Sequence, residues 1–307
     1  VRAVLDLLVK AVAYSSCIGI GAAAITLIYN ATRTFNFAHA SLVAWGIYMV
    51  FTGVYLLGLS PYAFVPIAAL LGAAIGLAIY FGVNRWLLRA KASMVNLMMS
   101  TLGVDLVLFG VLNIYSDYLI ATYKVPAKYF VLEVRDPIIE LGGARIRLVG
   151  VVAPLILVAL VVALHLFLTR TKVGVAMRAS IENPELAKIS GINTDVIYAL
   201  AWAIGGALAA LSGALLSLVI SGYTAVGMTT IVSFFAGAIV GGLFSIFGSL
   251  LGGLLIGLSE FLGITLLGNT LGGWVYAYRP AIPLAALAIT LLLKPEGLAG
   301  FVVKVRE

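Results

Sequence analysis

The sequence holds no glutamine, one cysteine and two histidines in 307 residues, and only 10% of it is charged. Each scarcity closes off a class of chemistry. The lone Cys17 leaves no disulfide to form within the chain and no thiolate cage for a metal. It lies inside an apolar run and reads as a small core residue. His39 and His165 stand far apart, without ligand spacing. No GxxxxGK[ST] stretch is present, so the chain binds no ATP by that route. No Ser/His/Asp set and no paired carboxylates emerge, and a catalytic reading has little to stand on. The absence of glutamine suits a hyperthermophile, where thermolabile side chains are scarce. A soluble domain carries about 25% charged residues. With so few charges, a water-soluble fold of this length has too little polar surface to cover itself.

What is abundant points the same way. Hydrophobic residues make up 63% of the chain and the mean hydropathy is +1.16. Lipid is the solvent this composition fits. The net charge of +7 sits in short gaps between apolar runs, where it sets orientation in a membrane and not affinity for nucleic acid.

A helix needs about 20 apolar residues to cross a bilayer. Nine stretches qualify, at 8–30, 38–59, 62–84, 93–114, 149–168, 196–220, 229–245, 248–267 and 280–294. The first follows Arg2 and Lys10 and runs to Tyr29, too long for a signal segment. The last is short. The seventh and eighth are split only by Ser245–Gly248, and either suits a broken or re-entrant helix. The fold expected is an all-α integral membrane protein of about nine transmembrane helices, within a range of eight to ten. A single transmembrane domain over 1–307 is expected.

Loop charges orient it. Arg85, Arg89 and Lys91 crowd one gap, Arg170, Lys172, Arg178 and Lys188 another, and Lys294, Lys304 and Arg306 the C-terminus. All three fall on one side if the nine spans hold, and Lys/Arg excess marks the cytoplasm. The N-terminus is then outside and the C-terminus inside. The segment 115–148 lies outside as an extracytoplasmic loop. Its basic residues oppose the rule, but Asp117, Glu133, Asp136 and Glu140 accompany them. Its "KYFVLEV" and "ARIRLVGV" stretches suit a hairpin around "DPIIELGG".

The chain has 33 glycines, many in small-xxx-small spacing, as at Gly72/Gly76, Gly237/Gly241, Gly248/Gly252 and Gly253/Gly257. That spacing predicts close helix contacts. "GIGAAA" at Gly19–Ala24 imitates a dinucleotide fingerprint, but it lies inside a span with no strand before it. Asp105 and Glu260 lie well inside spans, where a carboxylate is costly and faces a bundle interior or a wet cavity. A pathway role and a structural role are both open for each. No Lys or Arg lies deep in another span to pair with them.

The polar segment 169–195 is the most informative. Within it "NPELAKISG" reads as a short helix, with Asn183 as N-cap, Pro184 at the first helical position and Gly191 as C-terminal cap. Ala187, Ile189 and Ile192 offer a modest apolar surface. A docking element and an ordinary interfacial connector both fit.

"GVAMRASIENPELAKISGIN" resembles the cytoplasmic coupling loop of the branched-chain amino acid ABC transporter permeases, the group of the LivH and LivM proteins. Gly174, Arg178, Ala179, Asn183, Ala187 and the run Gly191-Ile192-Asn193 carry the likeness. "FNFAHASL" (Phe35–Leu42), "AGAIVGGLFSIFGSLLGGLLIGLSE" (Ala236–Glu260) and "KPEGLAG" (Lys294–Gly300) resemble three further family segments in the same order. The likeness is closer to LivH than to LivM and is weakest at 115–148. Ala40 stands where the family usually has Gly, Lys294 where it has Arg, and Asp105 where an uncharged residue is commoner.

The resemblance implies the permease subunit of an ATP-driven importer. ATPase subunits would bind the coupling loop at 169–195, built from Gly174, Arg178, Glu182, Asn183, Pro184, Ala187, Gly191 and Ile192. Arg178 would anchor the loop by hydrogen bonds, and Ala187 and Ile192 would pack in the ATPase groove. A second permease subunit, a sister chain or itself, would complete the path. An extracytoplasmic solute-binding protein would deliver the solute. The chain itself would hold no cofactor, because the partners bind the ATP. Asn36, His39, Asp105 and Glu260 are candidate polar residues of the path. The localisation implied is the plasma membrane of a prokaryote. Alternatives are a permease of the same superfamily for urea, amides, sugars or nucleosides, a secondary transporter or channel, and an intramembrane enzyme. The secondary transporter would favour internal inverted repeats, and no repeat at a fixed offset is evident.

Overall fold

The computed structural model describes residues 2–141, 144–294 and 297. The long apolar stretches form helices because a backbone in lipid must satisfy its own hydrogen bonds. In chain order these are α1 (Arg2–Thr32), α2 (His39–Leu56), α3 (Pro61–Ile79), α4 (Arg85–Arg89) and α5 (Met94–Tyr123). A short hairpin follows, of β1 (Ile138–Leu141) and β2 (Ala144–Arg147). Then come α6 (Val149–Arg170), α7 (Lys172–Glu182), α8 (Pro184–Ile189), α9 (Thr194–Leu216), α10 (Val226–Gly241), α11 (Ile246–Leu271) and α12 (Ala281–Leu293). The architecture is that of an all-α membrane protein, with the hairpin as a small addition.

Among the described residues, seven helical stretches are long and apolar enough to cross a membrane. The other two expected spans are helices too, but shorter: α10 has 16 residues and α12 has 13. At 1.5 Å per residue neither reaches across a hydrocarbon core of about 30 Å. The chain breaks between α10 and α11 at Gly242, with φ 104°, and α11 begins at Ile246, so the break lies just before the Ser245–Gly248 split read from sequence.

Three further boundaries differ from the sequence reading. A π-helical turn at Tyr80–Asn84 joins α3 to α4, so Arg85 and Arg89 ride on helix and not on loop. That wide turn carries the buried Asn84, whose Nδ2 donates to Thr34 Oγ1. Helix α5 continues through 115–123 and stops only where Lys124 turns left-handed at φ 58°. The outer segment is correspondingly shorter than expected. The hairpin pairs 138–141 with 144–147, Ile138 opposite Arg147 and Leu141 opposite Ala144. "KYFVLEV" is not its strand. That stretch holds a single bridge from Phe130 to Gly222 and a 3-10 turn at Glu133–Arg135. "IIEL" and "ARIR" flank a two-residue Gly-Gly connection, and short glycine connections favour tight hairpins.

Helix α1 is the centre of the bundle, with 94% of its most apolar stretch buried, against 22% for α5 and for α6. The exposed side chains of α5, among them Met99, Leu106, Val107 and Ile114, form a face that suits lipid. The spaced glycines hold the interior together. Gly72 and Gly76 meet Gly206 and Trp202 of α9, while Gly237 and Gly241 of α10 meet α11 at Gly253, Gly248 and Ser249. Gly253 and Gly257 in turn meet Gly19 and Ser15 of α1. A methyl group at any of these would strike backbone, which is the close approach small residues permit. Gly19, from the dinucleotide-like stretch, serves this packing.

Two polar faces result. On one, Lys10 pairs with Glu133 at 2.8 Å, which ties the start of α1 to the segment before the hairpin. Asp136 accepts from Tyr62 Oη at 2.5 Å and from the Val149 backbone N–H at 3.1 Å. Burial pushes its carboxyl above the ordinary range, with those two hydrogen bonds opposing. On the other face, Arg85 and Arg89 both bind Asp195 at the start of α9, at 3.1 and 2.6 Å.

Candidate functional site

The residues of the polar segment expected to act as a coupling loop lie on the Asp195 face and are built by three consecutive caps. Thr171 Oγ1 accepts from the Gly174 N–H at 2.9 Å and starts α7. Asn183 Oδ1 accepts from the Leu186 N–H at 3.0 Å, with Pro184 at the first helical position of α8. Asn193 Oδ1 accepts from the Val196 N–H at 3.4 Å and starts α9. Such side chains satisfy N–H groups that a helix start leaves unpaired. The end of α8 is closed equally fully. Gly191 takes φ 82° and donates to Lys188 O, and Ile192 donates to Ala187 O, the two bonds of a Schellman cap. The roles read from sequence for Asn183, Pro184 and Gly191 in forming the short helix hold.

Helix α7 was not foreseen. Its signal was present in the Thr171-x-x-Gly174 start and the buried positions Gly174, Met177 and Ser180, three apart. Gly174 is needed because a Cβ there would strike the Phe167 carbonyl, so α7 can turn directly off α6.

The outward surface differs from the expectation. Ala187 is 3% exposed and packs inward. The apolar side chains shown to solvent are Leu186, 60% exposed, and Ile189, 84% exposed. A helix that places Ala187 against α7 necessarily turns its neighbours outward. Ile192 is half-buried beneath them. Arg178 is exposed and makes no hydrogen bond or ion pair among the described residues, so it does not anchor the loop within this chain. Glu182, Asn183, Leu186 and Ser190 rim a cleft of about 530 Å³ between α7 and α8. A second recess of about 470 Å³ lies beside it, lined by Arg33, Lys91, Glu182 and Tyr198.

The interior polar residues divide. Asp105 accepts from the Ser41 backbone N–H at 3.0 Å and from Ser41 Oγ at 2.6 Å. It caps the start of α2 from a neighbouring helix. Asn36 and His39 are fully buried, and their side-chain polar atoms have no partner among the described residues. His39 lies edge-on to Phe234 at 5.0 Å. The "FNFAHASL" segment is therefore a largely buried entry to α2, non-helical over Phe35–Ala38 and helical from His39. It is held by Thr101, whose Oγ1 meets both the Phe37 N–H and the Phe35 carbonyl.

Glu260 is 2% exposed and accepts from Tyr14 Oη at 2.9 Å and from Arg279 Nε at 2.6 Å. Its cationic partner comes from a turn and not from deep in another span, a source the sequence reading did not consider. Arg279 lies just beyond the turn Gly273–Tyr278, which folds back so that the guanidinium stands 4.5 Å over the Tyr14 ring. Of the C-terminal "KPEGLAG" stretch only Lys294 and Gly297 fall within the described residues. Gly297, with φ 71°, lies against Ile239 and Gly242 at the end of α10. Among the described residues no cluster of His, Cys, Asp or Glu suits a metal.

These features define a multi-pass membrane protein with a structured loop pair on one face and a buried polar interior. Residues 7–293 match the family described as branched-chain amino acid transport system / permease component. The chain belongs to that family. It is 36% identical over 290 residues to the probable branched-chain amino acid transport permease protein LivH of Methanocaldococcus jannaschii, covering 94% of this chain and 90% of that one. It is 27% identical over 308 residues to the high-affinity branched-chain amino acid transport system permease protein BraD of Pseudomonas aeruginosa, covering 96% and 95%. The Salmonella typhimurium LivH is 27% identical over 284 residues, covering 90% and 88%. No solved structure matches.

Proposed function

We propose that this chain is the permease subunit of an ATP-binding cassette importer for branched-chain amino acids in a prokaryotic plasma membrane. The observation that carries the reading is the family match over residues 7–293, which takes in nearly the whole bundle. The chain supplies the path and binds no cofactor, while ATP binds to partner subunits. The α7–α8 pair is the docking element for those ATPases, and Leu186 and Ile189 are its apolar contacts. The face bearing Arg85, Arg89, Arg170, Lys172, Arg178 and Lys188 is cytoplasmic, following the excess of basic residues. A solute-binding protein docks on the opposite face, and a second permease subunit completes the path.

The test is ATP-driven uptake into proteoliposomes by this chain with its candidate ATPases, sister permease and binding protein. Leucine, isoleucine and valine are expected to enter only with ATP inside and binding protein outside. Preferred uptake of urea, an amide, a sugar or a nucleoside would assign a different solute. Uptake by the chain alone, without ATPases, would replace the importer by a secondary transporter.

A further inference from the structure

A cavity of about 360 Å³ opens between the 217–225 connection, α10 and the turn before α12. It lies on the face of the Phe130–Gly222 bridge, opposite the α7–α8 loop. Glu260 and Arg279 both line it. Their contact uses one carboxylate oxygen and Nε, at 2.6 Å. Glu260 Oε2 and Arg279 Nη2 are left shielded from solvent and without partners among the described residues. A buried acceptor and a buried donor left open in one ion pair are costly, because each gave up water and gained nothing. The rest of the wall is apolar or weakly polar, with Tyr129, Tyr223, Val226 and Tyr276. Pockets of this volume and mixed character are the usual form of small-molecule sites.

We infer that this cavity is a binding site within the permease for a zwitterionic α-amino acid with an apolar side chain. On binding, the two side chains turn these open atoms into the cavity, so that the ligand ammonium donates to Glu260 Oε2 and its carboxylate accepts from Arg279 Nη2. The apolar side chain lies against Val226 and the tyrosine rings. Both charges of the ligand are required, because either alone would leave one protein group open and add an unpaired charge. A sugar or urea brings neither charge. The inference rests on the amino-acid import proposed above and adds a site for the solute on the side where a binding protein would release it.

Ala277 lines the cavity and is exposed, so Ala277→Cys places a thiol in its wall. The native Cys17 is fully buried and stays silent to an aqueous thiol reagent. The complete importer carrying Ala277→Cys is placed in nanodiscs without binding protein, and labelling by a charged methanethiosulfonate is followed. Leucine is expected to slow labelling at least about fivefold. Isovalerate and isoamylamine, each lacking one charge, are expected to leave it unchanged. The double variant Glu260→Gln/Arg279→Met removes both charges together, so neither is stranded, and protection by leucine is expected to vanish. If leucine gives no protection while the same preparation imports leucine with binding protein and ATP, the site is wrong and the import reading stands. Equal protection by isovalerate would also overturn the site. Protection by leucine without any leucine import would keep the site and overturn the importer, and absence of both would overturn both.

Discussion

Asp105 caps a helix to which it does not belong. Its carboxylate takes the Ser41 N–H and hydroxyl at the start of α2, where the helix dipole favours negative charge. Asp105→Leu leaves that buried N–H open and is expected to cost about 1–3 kcal/mol. Asp105→Asn keeps an acceptor and is expected to cost less. Thermal unfolding of the detergent-solubilised protein ranks the two, and equal losses would deny the cap. From sequence, Asp105 and Glu260 were alike, each a carboxylate inside a span. Only folding separates them, by giving one a helix start and the other an arginine.

At the scale of elements, the starts of α7 and α8 and the end of α8 are closed by a side chain or a glycine of the segment's own sequence. That local closure is why its caps were legible from residues alone. The direction each helix faces was not legible. It depends on Gly174 letting α7 turn against α6, which then draws Ala187 inward. Leu186→Glu and Ile189→Glu are therefore expected to abolish co-purification of the ATPase subunits while the permease stays monodisperse. Retention of ATPases by both would remove the docking role of α8. Gly191→Val is expected to weaken the same binding by another route, since a branched residue at φ 82° costs about 1–2 kcal/mol and unwinds the cap. Its effect should appear as lost stability together with lost partner binding.

For the whole molecule, the two faces are joined through α1, whose start reaches Glu133 and whose end lies beside Arg33. This sorts the loops into two sets. Glu140 belongs to the set with Lys10, and Lys172 to the set with Asp195. Single cysteines at Lys172→Cys and Glu140→Cys are expected to react with an impermeant thiol reagent from opposite sides of sealed vesicles, Glu140→Cys from outside. Labelling of both from one side would contradict the proposed topology.

The sequence by itself determined the solvent, the helical class, the family and the caps of the polar loop. Composition, run length and short-range capping act within a few residues, so they can be read along the chain. The tertiary structure decided what lies far apart in sequence and close in space. It made α1 the core, shortened α10 and α12, carried α5 to Tyr123, and brought Arg279 over Tyr14 to Glu260. Small residues recur on several faces of these helices, so spacing predicts close contact without naming the partner. The partner is fixed only when all helices pack at once.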